Sequence, residues 1–116
     1  MKLKIDTTNN RETQVSLGGK AVVKEYKSPQ EQDVLAVIDE VLKREDKLKQ
    51  DITVIEVNRG PGAFTSLRVG VTLANALGYA LGVAVNGKKG KVVEPVYGEV
   101  GVRVNRAAEL AGINRE

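Results

Sequence analysis

The chain of 116 residues has no cysteine, no histidine and no tryptophan, and its aromatic content is only 3%. Without cysteine there is no disulfide framework, no thiolate metal site and no cysteine nucleophile. The missing histidines exclude imidazole acid–base catalysis, serine–histidine triads and the commonest metal ligand. With so few aromatics, the core has to be built from Val, Leu, Ile and Ala. Charge is absent from Val69 to Gly87, a run of nominal membrane-span length. Gly70, Gly78, Gly82 and Gly87, with Thr72, Asn75 and Asn86, interrupt that run, so it reads as a helix ending at Gly82 and no membrane association is expected. Leu3 and Ile5 alternate with Lys2, Lys4 and Asp6, which is no secretory pattern.

What is present describes an ordinary globular domain, with 41% hydrophobic and 28% charged residues. The net charge of +3 and pI near 9.2 permit RNA contact without arguing for it. Residues 2–6, 13–17 and 21–27 read as strands, with Gly18-Gly19 as a hairpin turn, and together predict an antiparallel meander. Ser28-Pro29-Gln30-Glu31 predicts a helix start, with Ser28 as cap, Pro29 at the first helical position and Glu31 closing a capping box. Val34, Val37, Ile38, Val41, Leu42 and Leu48 then share one helical face. The charge run Lys43 to Lys49 reads as a solvated helix end. Ile52 to Val57 predicts a fourth strand buried on both faces. A second helix is expected from Ser66 to Leu81, capped by Thr65 or Ser66, before a fifth strand at 83–85. Beyond Asn86, residues 92–104 allow one or two short strands, and Asn105 a final helix through Ala111.

The most informative stretch is Gly60-Pro61-Gly62-Ala63-Phe64-Thr65-Ser66-Leu67-Arg68-Val69-Gly70, lying between the fourth strand and the second helix. Unpaired N–H groups and the positive end of a helix dipole at such a turn suit either an anion or a tight packing corner. Asp6, at the end of the first strand, either contacts phosphate or accepts hydrogen bonds from Thr7, Thr8 or Asn9 in a local turn; the second reading is favoured. Arg68 lies in the first helical turn, where the dipole disfavours a cation. A carboxylate, Asp6 or Glu56, is therefore expected beside it, with an anion or partner contact as the alternative. In the second helix Gly70, Ala74 and Gly78 form a small-residue stripe, opposite Leu73, Ala76, Leu77 and Ala80. One side has the sheet to pack on; the other needs cover from the first helix or from another molecule.

The long turn resembles the TsaB (YeaZ) signature G-P-G-S-F-T-G-[LI]-R-[VI]-G, with Ala63 and Ser66 departing from it. Ile5-Asp6-Thr7-Thr8 is similar to that family's I-D-T-[ST] opening, and Pro95-Val96-Tyr97 to its closing P-x-Y. The resemblance implies an α/β fold of the actin/sugar-kinase/Hsp70 (ribonuclease H-like) type. This chain is expected to form one lobe of that fold, with a mixed five-stranded sheet in the order β-β-β-α-β-α-β. The resemblance divides the chain into a TsaB-like lobe, 1–86, and an extension, 87–116, standing where the family carries a second lobe. It further implies a cytoplasmic, non-catalytic adaptor of TsaD in threonylcarbamoyladenosine formation on tRNA. The partner is a TsaD-like protein, with a homodimer when alone and tRNA reached only through the complex. In that family the first two helices bundle with those of TsaD or of a second copy. Interface residues are accordingly expected at Val34, Ile38, Val41, Leu42, Gly70, Ala74, Leu77 and Gly78. An anion-binding loop of Asp6, Gly60, Gly62, Thr65 and Arg68 belongs to the alternative, a phosphate- or nucleotide-binding remnant of a kinase-like lobe. A self-associating structural domain is the third reading. No metal site is expected and no cofactor is bound by the chain alone, ATP entering only with TsaD. TsaD enzymes share a G-P-G loop followed by S-L-x-V-G, but they also carry metal-binding histidines that are missing here.

Overall fold

Alternation of apolar and polar residues along the early strands produces a sheet with one dry face. The computed structural model describes residues 1–96. Its elements are β1 (Lys2–Asp6), β2 (Glu12–Leu17), β3 (Lys20–Glu25), α1 (Val34–Arg44), β4 (Val54–Val57), α2 (Phe64–Leu81) and β5 (Ala84–Val85). The sheet has the order β3-β2-β1-β4-β5. The meander β1–β2–β3 is antiparallel, whereas β4 joins β1, and β5 joins β4, in parallel. This is the mixed five-stranded, two-helix lobe of the actin-like fold.

Register explains the layering. Leu3 faces Leu17 and Ile55, Ile5 faces Val15 and Val57, Val15 faces Val22, and Ile55 faces Val85. All eight lie on one side of the pleat and are buried. Helix α1 covers β2 and β3, and α2 covers β4, β5 and β1. Val34, Val37, Ile38, Val41 and Leu42 of α1 join Leu67, Val71 and Ala74 of α2 in the same core. Each large apolar side chain buried there contributes roughly 1.5–3 kcal/mol as an upper estimate. On the other side of the sheet Lys2 and Lys4 pair with Glu56 at 3.7 and 3.5 Å. These are half-exposed pairs of small energetic weight.

Four expectations are corrected. Helix α1 begins at Val34, after a single 3-10 turn at Pro29–Glu31. Its cap is Asp33, whose carboxylate accepts from the Ala36 N–H at 3.1 Å, while Ser28 makes no side-chain cap. Gln32, in extended conformation, breaks the helix that the Ser-Pro start had indicated. The helix ends at Arg44, the chain reverses at Asp46 with φ +54°, and Leu48 is 68% exposed instead of joining the apolar face. Strand β4 is dry on one face only, because both helices lie on the same side and leave Glu56 in solvent. Helix α2 starts two residues before the expected Ser66 and has no side-chain cap, but it closes at Gly82 in the left-handed conformation as anticipated. The helix expected from Asn105 lies outside the described residues, as does most of 92–104.

Candidate functional site

Strands β1 and β4 are parallel neighbours, so their C-terminal ends deliver Asp6 and Asn58 to one edge of the lobe. The Asp6 carboxylate accepts from the Thr8 N–H at 3.0 Å, the Thr8 hydroxyl at 2.7 Å and the Asn58 amide at 3.0 Å. Burial raises the Asp6 pKa, but these hydrogen bonds outweigh it and hold the group below the ordinary aspartate value. This is the local-turn geometry. Asn58, which the sequence reading missed, also accepts from the Gly60 N–H at 3.0 Å and so ties Asp6 to the glycine loop.

The loop is a packing corner. Gly60 has φ +107°, and a Cβ there would overlap the Val96 carbonyl; a Cβ on Gly62 would sit 2.7 Å from Thr8. The Ala63 N–H donates to the Thr8 carbonyl at 2.8 Å. Two loop N–H groups that an anion would need are therefore spent inside the chain. Arg68 has no carboxylate partner among the described residues, contrary to expectation. Glu56 is taken by the two lysines and Asp6 by Thr8 and Asn58, while the Arg68 guanidinium lies 5.6 Å from the centre of the Phe64 ring. Thr65 is exposed and caps nothing. The five anion-loop residues thus sit near one end of α2, but the sequence's proposed ion pair is not made.

The expected interface is corrected more deeply. Val34, Ile38, Val41, Leu42, Gly70, Ala74 and Gly78 are buried against this chain's own sheet and core, and Leu77 is half-buried. The small-residue stripe of α2 faces strands. A Cβ on Gly70 would overlap the Thr7 hydroxyl, and one on Gly78 would overlap Val85. The physical reason is close helix-on-sheet contact at the parallel crossover, which the sequence reading assigned to a helix-on-helix contact. Sequence alone could have flagged Thr7, one residue past β1, as the polar group needing a partner: its hydroxyl donates to the Ser66 carbonyl at 2.8 Å.

What the two helices do present outward is a shallow groove between Gln32–Leu35 and the outer ridge of α2, about 580 Å³ in volume. Val69, Leu73, Ala76 and Leu35 give it an apolar wall, with Thr65, Thr72 and Arg68 at its rim; Leu35 and Val69 are 42% and 43% exposed. No helix is long and apolar enough to cross a membrane among the described residues. Nor do those residues include a group of three His, Cys, Asp or Glu that could hold a metal. With no histidine in the chain, these residues do not fit the metal site that the resemblance gives to TsaD enzymes.

A family model described as TsaD, tRNA N6-adenosine threonylcarbamoyltransferase, matches residues 7–87. The chain is similar to the tRNA threonylcarbamoyladenosine biosynthesis protein TsaB of Bacillus subtilis, 32% identical over 88 residues, covering 72% of this chain and 38% of that protein. It is also similar to the tRNA N6-adenosine threonylcarbamoyltransferase of Ralstonia pickettii, 38% identical over 66 residues, or 54% of this chain and 19% of the enzyme. Among solved structures, YeaZ from Pseudomonas aeruginosa superposes with a TM-score of 0.59 at 22% identity, over 96% of this chain and 49% of that one, a likeness of fold. The chain spans about half of that structure and less of the curated relatives it matches.

Proposed function

Since this chain belongs to the TsaD family, tRNA N6-adenosine threonylcarbamoyltransferase, and bears the TsaB (YeaZ) signature, we propose that it acts as a non-catalytic partner in threonylcarbamoyladenosine formation on tRNA. Its working surface is the outer face of the helix pair, and its partner is a TsaD-like protein in the cytoplasm. A second copy takes the same place when the chain is alone. The observation that carries this reading is the apolar wall Leu35, Val69, Leu73 and Ala76, left open after both helices have packed on the sheet. A helix that has already buried one face has no intramolecular use for a second apolar one. The non-catalytic role is supported by the absence of histidine and by the loop N–H groups already engaged with Asn58 and Thr8.

The test is association measured by sedimentation, alone and with a TsaD-type enzyme from the same cell. Ala76 is exposed, so Ala76→Arg should leave the circular dichroism spectrum unchanged while abolishing both associations. A folded Ala76→Arg protein that still pairs with the enzyme would refute this use of the surface.

A further inference from the structure

Every Asp and Glu of this chain lies at or before Glu56 or at or after Glu94, so the run from Val57 to Val93 holds five cations and no acid. Three of them, Lys88, Lys89 and Lys91, sit in one exposed turn. That turn is pinned rather than loose. Val85 and Lys88 exchange backbone hydrogen bonds at 3.1 and 3.0 Å around Asn86-Gly87, whose φ values of +51° and +79° suit a tight hairpin. The Asn86 side chain accepts from the Val57 N–H at 2.8 Å and donates to its carbonyl at 3.0 Å, fixing one end to β4. The Asn75 side chain does the same for Val93, at 2.9 and 2.8 Å, fixing the other end to α2.

Two neighbours complete the face. Tyr79 is 92% exposed and borders a hollow with Lys88, Lys91 and Val92. Lys88 also borders the adjoining hollow with Arg59, whose Nε donates to the Glu94 carbonyl at 2.7 Å. Among the described residues none of Arg59, Lys88, Lys89 and Lys91 forms an ion pair, and of those residues Glu94 is the only carboxylate bordering either hollow. A fixed row of cations beside a free aromatic ring is the arrangement that engages a phosphate backbone and stacks an unpaired base.

We infer that this face, Tyr79 with Arg59, Lys88, Lys89 and Lys91, binds single-stranded RNA directly. The inference rests on the tRNA-modification reading above for its biological setting, but its test does not. Fluorescence anisotropy of the full chain with a labelled, unpaired, A-rich RNA of about 12 nucleotides reads the affinity. Four phosphate contacts predict roughly a fifty-fold loss between about 50 and 200 mM salt. Replacing Lys88, Lys89 and Lys91 together with Gln should weaken low-salt binding and cut that salt-dependent loss to roughly threefold. Tyr79→Ala should weaken binding roughly tenfold with the salt dependence unchanged, and Tyr79→Phe should restore it. Removing the same charge elsewhere, by Lys20→Gln, Lys24→Gln and Lys43→Gln together, should cost far less. Equal losses for both triple variants, an indifferent Tyr79→Ala, or no salt-dependent binding at all would overturn the inference. So would turn variants that keep RNA affinity yet lose a TsaD-type partner in sedimentation, which would give the face to a protein. Ala76→Arg belongs to the other surface and should retain full RNA affinity, so the two readings fail separately.

Discussion

Gly70 closes the glycine-loop signature, and its replacement by Ala tests how α2 is seated. In an exposed helix interior this change stabilises by about 1 kcal/mol, because glycine is the more disordered residue when unfolded. Here the added methyl would overlap the Thr7 hydroxyl and stand 2.9 Å from its Cγ2 and 3.0 Å from its Cβ. Thr7 is fully buried and cannot move aside without giving up its 2.8 Å hydrogen bond to the Ser66 carbonyl. Overpacking of this kind costs roughly 1–3 kcal/mol. A buried hydroxyl left without its partner costs about 1–3 kcal/mol more. Set against the propensity gain, Gly70→Ala should destabilise by about 1–5 kcal/mol, and each kcal/mol lowers the melting temperature of a domain this size by roughly 4–8 °C. Thermal and urea unfolding followed by circular dichroism measure this. The double variant Thr7→Ala with Gly70→Ala removes both the obstacle and the orphaned hydroxyl, so it should be more stable than Gly70→Ala alone. If Gly70→Ala is as stable as the parent or more so, α2 does not rest on the end of β1 and the packing account of the signature is wrong.

Ala74, fully buried, should not tolerate what Ala76 tolerates: Ala74→Arg buries an unpaired charge and should unfold the domain, as a lost far-ultraviolet helical signal would show. Asn86→Ala removes both side-chain hydrogen bonds to Val57 and should cost about 1–3 kcal/mol in urea unfolding, with hydrogen exchange at the Val57 amide accelerated; an unprotected Val57 in the parent would contradict the clamp. The Asp6 pKa is lowered in the folded state, so its contribution to stability is complete above the unfolded value near 3.9 and disappears as pH falls through the folded value. Asp6→Asn should therefore reduce stability at neutral pH and flatten its decline below about pH 4; an unchanged acid limb would count against the Thr8 and Asn58 bonds.

Strands β1, β2 and β3, their hairpin and the parallel β4–α2–β5 unit were legible because alternation and turn chemistry are local properties of the chain. The closing glycine of α2 was legible for the same reason. The start of α1 was not: Ser28-Pro29 and Asp33 both offer a helix start, and only the buried positions of Val34, Val37 and Ile38 against β2 and β3 select the later one. Helical spacing grouped Gly70, Ala74 and Gly78 correctly, yet it could not say what they meet. A small-residue stripe fits a neighbouring helix and a sheet equally well, and here Thr7 and Val85 occupy it. The same ambiguity hid the open groove, since Leu73 and Ala76 became the outer face only once the stripe had turned inward. Arg68 followed the same pattern: Glu56 and Asp6, the acids expected beside it, are engaged by Lys2, Lys4 and Asn58, groups remote in sequence from them. The amino-acid order by itself determined the elements, the family signature and the acid-free run from Val57 to Val93. Tertiary structure decided which faces are spent and which remain open, because periodicity fixes the residues that share a face, and only packing fixes the surface that face meets.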